Sequence, residues 1–120
     1  MGRKPPSYVY NKNITLRVCE SVDTFQNPVW RDIAVSNVNL QESVGTVVTA
    51  ANVDASRRSL MFVDSLYSVP QLDWMRLRTE SENAGKRMQV VHGNETYVVE
   101  AIDRIDDEYG ALDHWEVEMV

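Results

Sequence analysis

His114, Glu116 and Glu118 alternate along LDHWEVEMV, residues 112–120, and on a β-strand they point to one side. Alternate strand residues stand about 7 Å apart, near the reach at which imidazole and carboxylate groups converge on a metal ion. The opposite side takes Asp113, Trp115, Val117 and Met119. His92 is the only other histidine and Cys19 the only cysteine, so a thiolate-rich zinc site and an internal disulfide are both excluded. The plainer reading is a two-faced strand whose apolar side is buried and whose His-Glu-Glu side meets water or a protein neighbour.

Other chemistry has less to build on. Cys19 falls inside an alternating apolar run, where a thiol is a small core residue, and no Gly-x-Ser-x-Gly elbow exists to raise a serine above a sheet. Ala84-Gly85-Lys86 lacks the upstream glycine and the following Ser or Thr of a phosphate loop, so it reads as a turn. The adjacent acids Asp106 and Asp107 fit a hydrated loop. Trp30, Trp74 and Trp115 have the rings to stack bases, but tryptophan more often anchors a small core or an interface. No catalytic residue, cofactor or metal set emerges, and the chain is expected not to be an enzyme.

The elements that would position these residues are mostly strands. Valine occurs 18 times and, with Ile, Thr and Tyr, dominates the ordered-looking segments, as β-branched side chains do on a pleated surface. Residues 1–12, with Pro5-Pro6, read as an extended arm. Ile14 to Glu20 alternates with period 2, placing Ile14, Leu16 and Val18 on one face. Val29 to Leu40 is a second strand without a clear register. Residues 41–56 lack a sustained period and suit a long loop or hairpin. Arg58 to Val63 is a compact apolar run ended by Asp64-Ser65 and Pro70, which cannot donate to a central ladder. Leu72 to Arg78 is a strand or a helical turn, a helix over 71–84 stays open, and TESENAGK is a polar turn. Met88 to His92 and Thr96 to Ile105 form the clearest hairpin, around His92-Gly93-Asn94-Glu95. Some six short strands with turn signals between them imply an all-β fold, a small β-barrel or sandwich.

A chain of 120 residues suits a single domain over 1–120. No apolar run approaches the roughly 18 residues of a membrane span. MGRKPPSYVY has basic residues but no apolar stretch of a signal peptide, so the Asn13 and Asn94 sequons are expected to go unused. The net charge of −6 is uneven. Arg3, Lys4, Lys12 and Arg17 precede the first acid, Glu20, whereas Arg104 is the only base among nine acids from Glu95 onward. That acidic half argues against gripping duplex DNA.

Two stretches together resemble the minor capsid, or head-closure, proteins of long-tailed bacteriophages. LMFVDSLYSVP, residues 60–70, is similar to the family's apolar strand followed by Asp, three residues, Ser, x, Pro. LDHWEVEMV is similar to its His, aromatic, Glu, Val, Glu, apolar ending. Position by position the resemblance covers Asp64, Ser68, Pro70, His114, Trp115, Glu116 and Glu118. Family members often carry two adjacent histidines where this chain has Asp113-His114. The resemblance implies a small β-barrel in a stopper ring of six or twelve copies at the virion's head-to-tail junction. Portal or adaptor proteins would bind on the head side, tail-terminator or tail-tube proteins on the tail side, and packaged DNA would pass without specific binding. Val44, Gly45, Thr46, Val47 and Val48 would then belong to a loop that obstructs the channel. A tail-terminator ring, which mixes helices with a sheet, and a single-stranded nucleic-acid-binding barrel are the alternatives.

Overall fold

The computed structural model describes residues 6–42, 46–49 and 52–120. Strand β1 (Lys12–Val22) pairs antiparallel with β2 (Pro28–Gln41). A two-stranded hairpin, β3 (Thr46–Thr49) and β4 (Asn52–Arg57), leads into β5 (Ser59–Asp64). Helix α1 (Trp74–Ala84) precedes β6 (Gln89–His92), β7 (Glu95–Asp106) and β8 (Leu112–Met119). The closed barrel runs β1-β2-β5-β8-β7-β6, and β3-β4 forms its own sheet. The fold is all-β, as the alternating valines imply.

The barrel interior collects one face of each strand. Ile14, Leu16 and Val18 from β1 meet Val35, Val38 and Leu40 of β2, Met61 and Val63 of β5, Val90, Val99 and Ile102, and Trp115, Val117 and Met119 of β8. Each fully buried aliphatic side chain contributes about 1.5–3 kcal/mol by leaving water. The alternation along β1 breaks at Val18-Cys19, both buried, because a bulge shifts the register between Cys19 and Ser21.

The second strand has no clear period because it serves two partners. Residues up to Val38 pair with β1, whereas Asn39, Leu40 and Gln41 pair with β5. The corner falls at Asn37, whose φ of 61° lies in the left-handed region that asparagine tolerates better than most residues. Its amide Nδ2 donates to the Tyr67 carbonyl at 3.2 Å, and its own N–H donates to Asn13 Oδ1 at 3.3 Å.

Two expectations need correction. The arm over 1–12 is not extended throughout: Ser7–Val9 make a 3-10 turn, Tyr10 is buried with its ring 5.4 Å from that of Tyr67, and β1 starts at Lys12. Burying the Tyr10 ring pulls the backbone in; residues 1–5 lie outside the described ones. The stretch 72–78 is a helix from Trp74 on and not a strand, and most of TESENAGK belongs to the same helix instead of a turn. Asp73 caps it by accepting the Arg76 N–H, and Gly85, at φ 127°, ends it with its N–H donated to the Ser81 and Glu82 carbonyls.

That helix seals a seam. Strand β6 reaches only Thr15–Arg17 of β1 and Val98 to Glu95 of β7, so the upper parts of both neighbours lack a ladder partner there. Helix α1 packs against β1 and β7 and replaces the missing bonds with side chains. Ser81 Oγ accepts the Cys19 N–H at 2.9 Å, and Arg78 Nη2 donates to the Glu100 carbonyl at 2.9 Å. Both backbone groups sit at bulges, where the register shifts between Cys19 and Ser21 and between Val99 and Ala101. Trp74, fully buried, fills the core beneath.

Candidate functional site

The two stretches that carry the resemblance are neighbouring strands. β5 and β8 pair from Ser59 opposite Met119 to Asp64 opposite His114, so LMFVD and HWEVEM form one ladder. Met61, Val63, Trp115, Val117 and Met119 face inward. Leu60, Phe62, His114, Glu116 and Glu118 make up the outward, half-buried side.

Asp64, Ser68 and Pro70 build the exit from β5. Asp64 Oδ2 accepts the N–H groups of Leu66 at 2.8 Å and Tyr67 at 3.0 Å, which closes a turn directly behind the strand. Ser68 Oγ accepts the Asp64 N–H at 2.9 Å and donates to the Asn37 carbonyl at 2.6 Å, joining the turn to the β2 corner. Gln71 Nε2 donates to the carbonyls of both Asp64 and Ser68. Pro70 is exposed, follows a cis peptide bond, and comes after Val69, which exchanges two backbone hydrogen bonds with Ser36. Asp64 and Ser68 are thus buried structural residues in this geometry, each holding backbone groups that burial would otherwise leave unpaired.

On the outer side the His-Glu-Glu trio divides instead of converging. His114 Nδ1 lies 2.7 Å from Asp113 Oδ2, its Nε2 lies 3.2 Å from Glu116 Oε2, and its ring sits 5.9 Å from that of Phe62. Asp113, assigned by alternation to the opposite side, reaches around from the strand end to hold the imidazole. Glu118 turns away to Arg58, at 2.6 Å. Among the described residues no group of three His, Cys, Asp or Glu side chains is placed to hold a metal ion. The arrangement presents a charged surface with a fixed imidazole orientation.

The tryptophans separate in the same way. Trp115 and Trp74 are core residues whose indole N–H groups have no partner among the described residues. The Arg104 guanidinium lies 5.7 Å from the Trp115 ring centre. Trp30 is half-buried on β2 beneath Arg17, at 4.9 Å, and Arg17 also pairs with Asp32. Of the channel-loop residues, Val44 and Gly45 lie outside the described residues. Thr46, Val47 and Val48 belong to β3, so this part of 41–56 is a hairpin.

One cluster was not legible in advance. The Tyr97 hydroxyl donates to Glu42 Oε2, and Glu42 Oε1 lies 3.4 Å from His92 Nδ1. Ser59 hydrogen-bonds the same phenol. Burial, then the bond to Glu42, push the Tyr97 pKa up to about 12. Glu42 directly follows β2 and Ser59 opens β5, so one phenol joins the departure and return of the segment that carries the hairpin. Tyr97 follows the Gly93-Asn94 turn like any strand aromatic, and only the β2 to β5 crossover brings Glu42 to it.

A scan against protein-family models finds no family that matches the chain, and a search of curated proteins finds no match.

Proposed function

We propose that the protein is a structural virion component of a phage head-to-tail connector, a stopper ring that closes the DNA-filled head and offers a docking surface to the tail. The observation that carries this reading is the pairing of Asp64 with His114. The two stretches that resemble the head-closure family are far apart in sequence yet form one ladder, so the resemblance falls on a single structural unit. A closed barrel has no free barrel edge, which directs contacts between copies to faces, turns and the β3-β4 hairpin. The half-buried face of Phe62, His114, Glu116 and Glu118 is the surface proposed to meet a neighbouring subunit or the channel. The single-stranded nucleic-acid reading has less support, because two of its three stacking candidates, Trp74 and Trp115, are core residues.

The test is assembly in a phage from which this gene has been deleted and then supplied in trans. DNA-filled heads that leak and bear no tails are expected without the protein, and also when His114, Glu116 and Glu118 are all changed to Ala. Tailed particles that retain their DNA without it would overturn the proposal. Strongly salt-dependent binding of single strands with tryptophan quenching would move the reading to the nucleic-acid alternative.

A further inference from the structure

The outward side of β5, β8 and β7 carries one sign of charge that its own strands do not balance. Asn39, Phe62, Glu116 and Asp103 stand opposite one another in successive strands, so they form a single row across β2, β5, β8 and β7. Directly opposed residues share a face, which sets the Asp103 carboxylate beside that of Glu116 on the outside of the barrel. Like charges opposed in this way repel, and a cation over the pair relieves the repulsion.

Counted in full, the face has four acids, Asp103, Asp113, Glu116 and Glu118, and two bases, Arg58 and His114. Arg58 is taken by Glu118, and His114 by Asp113 and Glu116. Arg104 follows the register of Trp115, stands over that ring and pairs with Asp106. Arg78 reaches β7 from the helix and is taken by Glu82 and the Glu100 carbonyl. Asp103, exposed, has no ion pair among the described residues.

The chain itself carries cations within reach of this face. Arg3 and Lys4 lie in the first five residues, and no acid precedes Glu20. Their root is held at the edge of the face: the Tyr10 ring packs on Tyr67, three residues past Asp64, and Asp64 pairs with His114. Lys12 stands opposite Val38, next to Asn39, where the row begins. Strands about 4.8 Å apart put Glu116 about 10 Å from Asn39 and Asp103 about 14 Å. Five residues span up to about 17 Å.

We propose that residues 1–5 lie across the outward face of β5, β8 and β7 of their own chain, with Arg3 and Lys4 against Asp103, Asp113 and Glu116. Phe62, half-buried beside His114, offers the stems of these long side chains an apolar surface. Attachment to the same chain holds the arm near the face at an effective concentration of about millimolar, above that of a free copy at micromolar dilution. The inference does not depend on the connector reading; a neighbouring subunit that takes this face displaces the arm or shares the face with it.

Paramagnetic relaxation on the full chain tests it. A nitroxide on Gly2→Cys, with the buried Cys19 left unreacted, is expected to broaden the amide signals of residues 102–104 and 115–117. Arg3→Glu with Lys4→Glu should lower the docked population by about threefold or more, and Asp103→Asn should lower it in the same direction. Salt at about 1 M should release the arm. Signals that do not broaden, or that broaden equally once the arm's charges are reversed, would overturn the proposal. So would broadening that arises only in isotope-enriched chains without the nitroxide when they are mixed with labelled, unenriched chains, since the arm on the face would then belong to a second copy.

Discussion

The Ser81 hydroxyl accepts the backbone N–H of Cys19 at 2.9 Å, across the seam above β6, and donates to the Lys86 carbonyl just past the end of its own helix at 2.6 Å. One small side chain therefore satisfies a strand donor and the carbonyl that leads into the next strand. Ser81→Ala removes both bonds at a fully buried position. A loss of about 1–3 kcal/mol is expected in denaturant unfolding, since the buried Cys19 N–H is left unpaired and the part-buried Lys86 carbonyl loses its donor.

Gly85 makes that seam close. A Cβ there would stand 2.5 Å from Val22 Cγ2, on a backbone at φ 127° that side chains rarely adopt. Gly85→Ala should cost about 2–4 kcal/mol, from contact and backbone strain together. Adding Val22→Ala should recover the contact part alone, so thermal unfolding of the double variant should fall between Gly85→Ala and Val22→Ala.

The turn behind β5 separates two roles of one carboxylate. Asp64→Ala strips the Leu66 and Tyr67 N–H groups of their acceptor and should destabilise by about 2–3 kcal/mol. Asp64→Asn keeps a side-chain oxygen in place and should cost less than half as much. Equal losses in chemical denaturation would show that the charge, and not the acceptor, is what the turn requires.

Tyr97 sets an alkaline limit. Its pKa is raised from 10.0 to about 12 in the folded chain, so the unfolded chain releases this proton first as pH rises. The stabilisation is fully present below pH 10 and is lost as pH climbs from 10 towards 12. Tyr97→Phe should flatten that decline in stability. In phenolate absorbance titrations of the wild type, one of the five tyrosines should ionise later than an ordinary phenol.

The polar face should behave oppositely to the turns. Glu118 and Arg58 are both partly solvated, so Glu118→Ala should change stability by less than about 1 kcal/mol. On the connector reading the same substitution, combined with His114→Ala, lowers the yield of tailed particles. Reduced joining with an unchanged unfolding midpoint separates an interface from a fold requirement.

Strands that face the core along one unbroken period were readable in the residues. Ile14, Leu16 and Val18, and then Trp115, Val117 and Met119, are inward as their alternation requires, and the Gly93 turn sits between the two runs it was expected to join. The β2 register was not readable, because Asn37 turns the strand from one partner to another and the inward spacing becomes three between Val35 and Val38. Helix α1 was hidden by its composition: WMRLRTESENA buries only Trp74 and Ser81, too few for a helical stripe, although Asp73 and Gly85 marked its ends. Of the outward residues, His114, Glu116 and Glu118 were found by spacing, but their pairings with Asp113 and Arg58 depend on the strand end and on the residue just before β5. Ser81 and Tyr97 act through contacts between distant segments, and nothing adjacent to them in the chain marks either.

The phenol of Tyr97 leaves one further consequence. Because Glu42 and Ser59 are tied to the same oxygen, the span between them is closed at its root whatever its length. Closing a flexible loop twice as long costs only about 0.6 kcal/mol more. A longer, shorter or unrelated segment grafted between Glu42 and Ser59 is therefore expected to change how far the protein reaches while the circular dichroism of the barrel stays as it was.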